Sequence, residues 1–137
     1  MHISFSYALG TLLVSGNPTH VLFDSGGTNS FVSSDKADKL GDGYEKREVN
    51  VLEHTAGNQP PLQTRIVLVG IPVVIQDTIL HANLLVMPME MFKVIFGMDW
   101  LSGYHAHLDC RRSRVVFELR NRPRLTYCGI NPSKIAL

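Results

Sequence analysis

The stretch that decides the fold is VLFDSGGTNSF, residues 21–31. Val21, Leu22 and Phe23 form an unbroken apolar run with a β-branched and an aromatic member, which reads as a buried strand. Asp24 ends the run, and Ser25, Gly26 and Gly27 follow at once. A core strand that delivers a carboxylate onto a glycine turn needs hydrogen bonds around it, because an unsatisfied buried charge is costly. Asp24 either caps a turn, as Asp and Ser do through local backbone bonds, or it is the reactive group for which the turn exists.

Outward from this point the chain reads as short strands with turn punctuation. Residues 9–15 form a strand, Gly16-Asn17-Pro18 a turn, and residues 19–23 the return strand that carries Asp24. Ser33-Ser34-Asp35 starts one or two helical turns that run to Leu40, and Gly41-Asp42-Gly43 stops them. Strands follow at 45–52, 63–69, 71–76 and 79–87, with a polar loop or hairpin tip at 54–61. Residues 94–96 (VIF) repeat the earlier device, an apolar triplet running into glycine, here Gly97. Met98-Asp99-Trp100-Leu101 opens a short helix, with Asp99 favourable near its N-terminus. A strand pair at 105–109 and 114–119 closes the pattern, joined by the turn Cys110-Arg111-Arg112-Ser113.

At 137 residues the chain is one domain, and 45% hydrophobic against 18% charged residues is enough to build a core. Net charge is +1, so nothing global points to a nucleic-acid or membrane partner. The basic residues do concentrate in residues 111–137, seven against the single acid Glu118. Without interleaved aromatics this reads as a solvated turn and tail, not a nucleic-acid surface. Two cysteines and no usable N-x-[ST] sequon favour a reducing compartment, the cytoplasm. The N-terminus lacks a basic n-region, and no apolar run has the length of a membrane span.

Asp-Ser-Gly alone is weak evidence. The combination is stronger: an apolar strand entering Asp-Ser-Gly, a second entering Gly97, and a polar hairpin candidate between them. VLFDSGGTNSFVS together with VIFGMDWLSGYHAHLDCRRSRVVFE resembles the retropepsin-type aspartic protease domain of gypsy-type LTR retrotransposons, plant ones in particular. The resemblance runs from about residue 10 to 119 and is specific in 19–33 and 94–118. It implies an all-β, retropepsin-like closed barrel with one or two short helices over residues 1–119, followed by a tail or linker at 120–137. It makes Asp24 the catalytic residue. Ser25 would lie in the hydroxyl network behind it, and Gly26 would present its backbone to the carboxylates. Gly27 stands where alanine is usual and Asn29 where histidine or aspartate is commoner; both would line the substrate groove. Residues 53–61 fall at the family's flap, with Thr55, Ala56 and Gly57 as substrate contacts. Pro60 and Pro61 cannot donate ladder hydrogen bonds there.

The chemistry adds a constraint. Peptide hydrolysis by aspartates needs one ionised and one protonated carboxyl around a water. At about 3 Å, with an effective dielectric near 20, two carboxylates repel by roughly 5 kcal/mol, so the pair shares a proton. The chain holds a single Asp-[Ser/Thr]-Gly. The catalytic reading therefore requires a twofold homodimer with Asp24 of each copy on the axis. No metal or organic cofactor is called for, since water is the nucleophile. The substrate would be an extended polypeptide, by resemblance a retroelement polyprotein undergoing maturation. The rival reading is a catalytically inactive fold kept as an interaction or dimerisation module. His105 and His107 read as structural, since a metal site needs more ligands at better spacing. Cys110 reads as packed, with no base beside it.

Overall fold

Alternation of side chains builds the first hairpin. In β1 (Tyr7–Val14) residues Ala8, Gly10, Leu12 and Val14 turn inward, and in β2 (Asn17–Asp24) Thr19, Val21 and Phe23 do so. The strands pair antiparallel from Tyr7↔Asp24 to Val14↔Asn17 across Ser15 and Gly16. Both turn residues have positive φ, the two-residue arrangement whose twist matches that of the strands. This is a computed structural model, and it describes residues 7–53, 60–109 and 111–130.

Six strands close into a barrel. Its remaining members are β3 (Phe31–Ser33), β5 (Leu62–Ile75), β6 (Thr78–Met87) and β7 (Val94–Phe96). Their order is β1-β2-β7-β3-β6-β5, and the ring is closed by Leu13↔Val74 and Val14↔Val73. β4 (Glu45–Glu53) lies outside on β5. Two short helices, α1 (Ser34–Leu40) and α2 (Met98–Gly103), follow β3 and β7. The expected all-β closed barrel is the architecture observed, and of the one or two short helices expected it has two. No helix among the described residues is long and apolar enough to cross a membrane.

Residues 63–69 and 71–76, expected as two strands, are one. The register of β5 against β6 shifts between Leu68 and Ile71, and Gly70 between them has φ +69°. This is a bulge, where the strand bends without ending. The Gly70 N–H that leaves the ladder donates to the Asn83 side chain at 3.0 Å. The bend lets one half of β5 pair with β4 and the other half close the barrel on β1.

A second sheet, β10-β9-β8, is built from β8 (Ala106–Asp109), β9 (Arg114–Phe117) and β10 (Leu125–Cys128). Here the structure differs from the expected tail, because β10 falls within residues 120–137. An aromatic cluster joins the two sheets. Phe96 stacks on Trp100 at 4.2 Å and on Phe23 at 5.4 Å, Phe117 meets Trp100 edge-on, and Tyr127 of β10 lies 5.7 Å from Phe23. Tyr127 also fills the space a side chain at Gly10 would occupy. Its hydroxyl accepts from Thr11 N at 2.9 Å and donates to Thr11 O at 3.1 Å, standing in for a strand partner on β1.

Candidate active site

Asp24 owes its position to two strands that are far apart in sequence. β2 runs parallel to β7 with Val21↔Val94, Leu22↔Ile95 and Phe23↔Phe96 in register. The next step along each strand is Asp24 on one and Gly97 on the other. The loop from Asp24 then passes over β7 into β3, which pairs with the far side of β7 at Phe31↔Ile95 and Val32↔Val94. The loop thus straddles the end of β7 and must be held against it.

The turn organises the Asp24 carboxylate directly. Gly26 N–H donates to Asp24 Oδ1 at 2.8 Å, and Gly27 N–H donates to the Asp24 carbonyl at 3.3 Å. Asp24 and Ser25 are half-buried, and Gly26 is exposed. A methyl group at Gly27 would sit 3.6 Å from Asp24 Oδ2, an ordinary contact, so the fold has room for the alanine that the resemblance leads one to expect.

Gly97 is where the loop and β7 touch. A Cβ there would lie 2.2 Å from the Asn29 carbonyl oxygen and 3.0 Å from that of Gly27, so no other residue fits. Beyond it the chain stitches itself to the loop. Met98 N–H donates to Gly27 O at 2.8 Å and Asp99 N–H to Thr28 O at 3.1 Å. Ser30 Oγ donates to Asp99 Oδ1 at 2.6 Å and accepts from Gly97 N at 3.0 Å, while Ser30 N–H donates to Asp99 Oδ2 at 3.2 Å. Asp99 also accepts from Trp100 N at 2.7 Å, consistent with its expected place at the helix start. Its larger part, fastening Ser30, was not foreseen from the sequence.

A hollow of about 360 Å³ opens beside Asp24, lined by Tyr7, Leu9, Leu22, Met91 and Phe92. Sequence reasoning missed these residues. Leu22 carried a signal, since it must face away from Phe23 on an alternating strand. Met91 did not, and it stands exposed just before β7. At the other end of the loop, Asn29 Nδ2 donates to Glu53 Oε2 at 3.1 Å. Glu53 ends β4, which pairs with β5 as far as Glu53↔Leu62. The hairpin arms are therefore in place, while Thr55, Ala56 and Gly57 lie outside the described residues, as does Cys110. His107 sits 3.4 Å from Glu118 on the second sheet, away from Asp24.

A family model described as retroviral aspartyl protease matches residues 3–122. The chain belongs to that family. Among solved structures, the retroviral protease-like domain of Ddi1 from Leishmania major is similar, with a TM-score of 0.64 and 14% identity over 93% of this chain and 97% of that one. EIAV protease in complex with the inhibitor HBY-793 superposes with a TM-score of 0.61 and 16% identity over 80% and 98%. At such identities these two show the retropepsin-like fold alone. No curated protein sequence matches the chain.

Proposed function

We propose that this retroviral aspartyl protease-family chain is an aspartic endopeptidase, active as a homodimer that places two Asp24 carboxylates around one water. The observation that carries the reading is the Asp24 turn: a half-buried carboxylate at a strand end, held by the Gly26 amide and braced across Gly97. The carboxylate that follows Gly97, Asp99, is engaged with Ser30 and Trp100, so the second catalytic group comes from another copy. Ser25 would join the hydroxyl network behind the pair.

In this mechanism the ionised carboxylate takes a proton from the water, whose oxygen attacks the scissile carbonyl carbon. The protonated carboxyl gives its proton to the carbonyl oxygen, so a neutral gem-diol forms. Collapse returns a hydroxyl proton to a carboxylate and delivers the other carboxyl's proton to the amide nitrogen, and the C–N bond breaks. The peptide would lie extended between the dyad and the 53–61 hairpin, held through main-chain bonds as an added strand. Closure of that hairpin would exclude water. The apolar hollow beside Asp24 suits an apolar side chain next to the cleaved bond. The native setting would be a gypsy-type retroelement polyprotein of plant type, processed in the cytoplasm.

Peptide-library cleavage between pH 4 and 7, at several protein concentrations and with Asp24→Asn alongside, tests the reading. Activity that rises faster than linearly with protein and vanishes in Asp24→Asn is expected. A folded dimer without cleavage would favour an interaction module, and a stable, inert monomer would overturn the homodimeric enzyme.

A further inference from the structure

The catalytic loop has two ends, and their surroundings differ in chemistry. At Asp24 the wall is apolar, made by Leu9, Leu22, Met91 and Phe92. At Asn29 the neighbour is the Glu53 carboxylate, reached from the stem of the β4–β5 hairpin. Glu53 is half-buried, and among the described residues its hydrogen-bond partner is the neutral amide of Asn29. Asp35, Asp38, Glu45, Asp109 and Glu118 each stand within ion-pair distance of a basic side chain. Of the described acids without such a partner, Asp42, Glu48, Asp77, Glu90 and Asp99 are exposed to water, and only Asp24 and Glu53 are half-buried.

A carboxylate removed from water without a cation is poorly compensated, and one amide donor leaves acceptor positions open on both oxygens. A peptide lying over the loop covers this region and strips more water from it. A cationic side chain on that peptide supplies the missing charge with directional hydrogen bonds, while an acidic one meets repulsion in a site of reduced dielectric. The Asn29 bond fixes where the Glu53 carboxylate points, so little side-chain freedom is left to lose on binding.

We infer that Glu53, oriented by Asn29, selects substrates carrying a lysine or arginine flanking the apolar residue at the cleaved bond. The inference rests on the cleft assignment above. In a twofold dimer each copy contributes one Glu53, so the preference appears on both sides of the bond.

The test uses peptides identical except for Lys, Gln or Glu at each flanking position, assayed for kcat/KM with the wild type and for binding with Asp24→Asn. The binding arm reads charge selectivity whether or not the protein turns over. Lys is expected to exceed Gln roughly tenfold at one flanking position on each side of the bond, with Glu worse than Gln. In Glu53→Gln the Lys-to-Gln ratio falls to about one, and Glu53→Lys inverts the order. Asn29→Ala reduces the ratio with Glu53 still present. Charge-selective binding without cleavage overturns the enzyme and keeps the Glu53 assignment. Cleavage indifferent to charge, or a lysine preference that survives Glu53→Gln, overturns the assignment and keeps the enzyme. No binding and no cleavage overturns both.

Discussion

Ser30 and Asp99, sixty-nine residues apart in sequence, are joined by two hydrogen bonds, one from the Ser30 hydroxyl and one from its backbone amide. The pair fastens the loop that follows Asp24 to the start of α2. Because Ser30 is buried and also satisfies Gly97 N, Ser30→Ala leaves that backbone donor without its acceptor and takes one of the two donors from Asp99 Oδ1, which keeps Trp100 N. We expect a loss of about 2 kcal/mol in urea unfolding. Asp99→Asn keeps the acceptor oxygen and should lose about half as much. Equal stability of wild type and Ser30→Ala would show that the loop is held elsewhere.

Gly97 and Gly27 predict opposite outcomes for one methyl group. Gly97→Ala drives Cβ to 2.2 Å from the Asn29 carbonyl, a backbone atom that cannot step aside. A cost of about 3 kcal/mol or more is expected, with loss of any Asp24-dependent activity. Gly27→Ala meets only ordinary contacts, and the φ of Gly27 lies outside the left-handed region. It should be neutral or stabilise by up to about 1 kcal/mol, because the unfolded chain loses freedom. Thermal melts of the two variants side by side decide both.

The family match stops at residue 122, but the folded body does not. A chain ending there lacks β10 and exposes Phe23 and Phe117, and Gly10 loses the ring that fills its space. Removal of residues 123–137 should cost about 3–5 kcal/mol, by analogy with emptying one aromatic site. Tyr127→Phe, which keeps the ring and drops only the bonds to Thr11, should cost about 1 kcal/mol. A truncated protein with an unchanged melting point would mean that β10 is ornamental.

Tyr127 also gives an alkaline signature. Burial pushes its hydroxyl above the ordinary tyrosine value of 10.0, outweighing the Thr11 hydrogen bond that pulls it down. The folded protein then holds a proton that the unfolded chain releases first. The associated stability is complete below pH 10 and is lost as pH rises through the folded value. Unfolding midpoints from pH 8 to 11 should fall more steeply for wild type than for Tyr127→Phe.

The strands entering Asp24 and Gly97 were legible because an apolar triplet ahead of glycine is a local pattern, and the α1 start is likewise written in Ser33-Ser34-Asp35. The unity of β5 was not legible, because Gly70 looks the same in a sequence whether it ends a strand or bends one. Only the Asn83 side chain that rescues its amide tells them apart. β10 was hidden by its charged surroundings, where Arg120, Arg122, Pro123 and Arg124 suggest a linker. The Ser30–Asp99 pair left no trace, since a bond between distant side chains has no period. The resemblance implies a groove position for Asn29, but its tie to Glu53, twenty-four residues on, has no local pattern to announce it.

The parallel pairing of β2 with β7 also sets an order of events in time. In a growing chain Asp24 emerges first, and the strand that braces it and the glycine that the loop lies against come about seventy residues later. Contacts this distant in sequence close slowly and late in folding. Until residues 94–101 have been made and docked, the Asp24 turn has only its own amides and the β1 hairpin to hold it. In a nascent copy the Asp24 turn accordingly lacks its brace until that later segment arrives, whatever the copy's concentration.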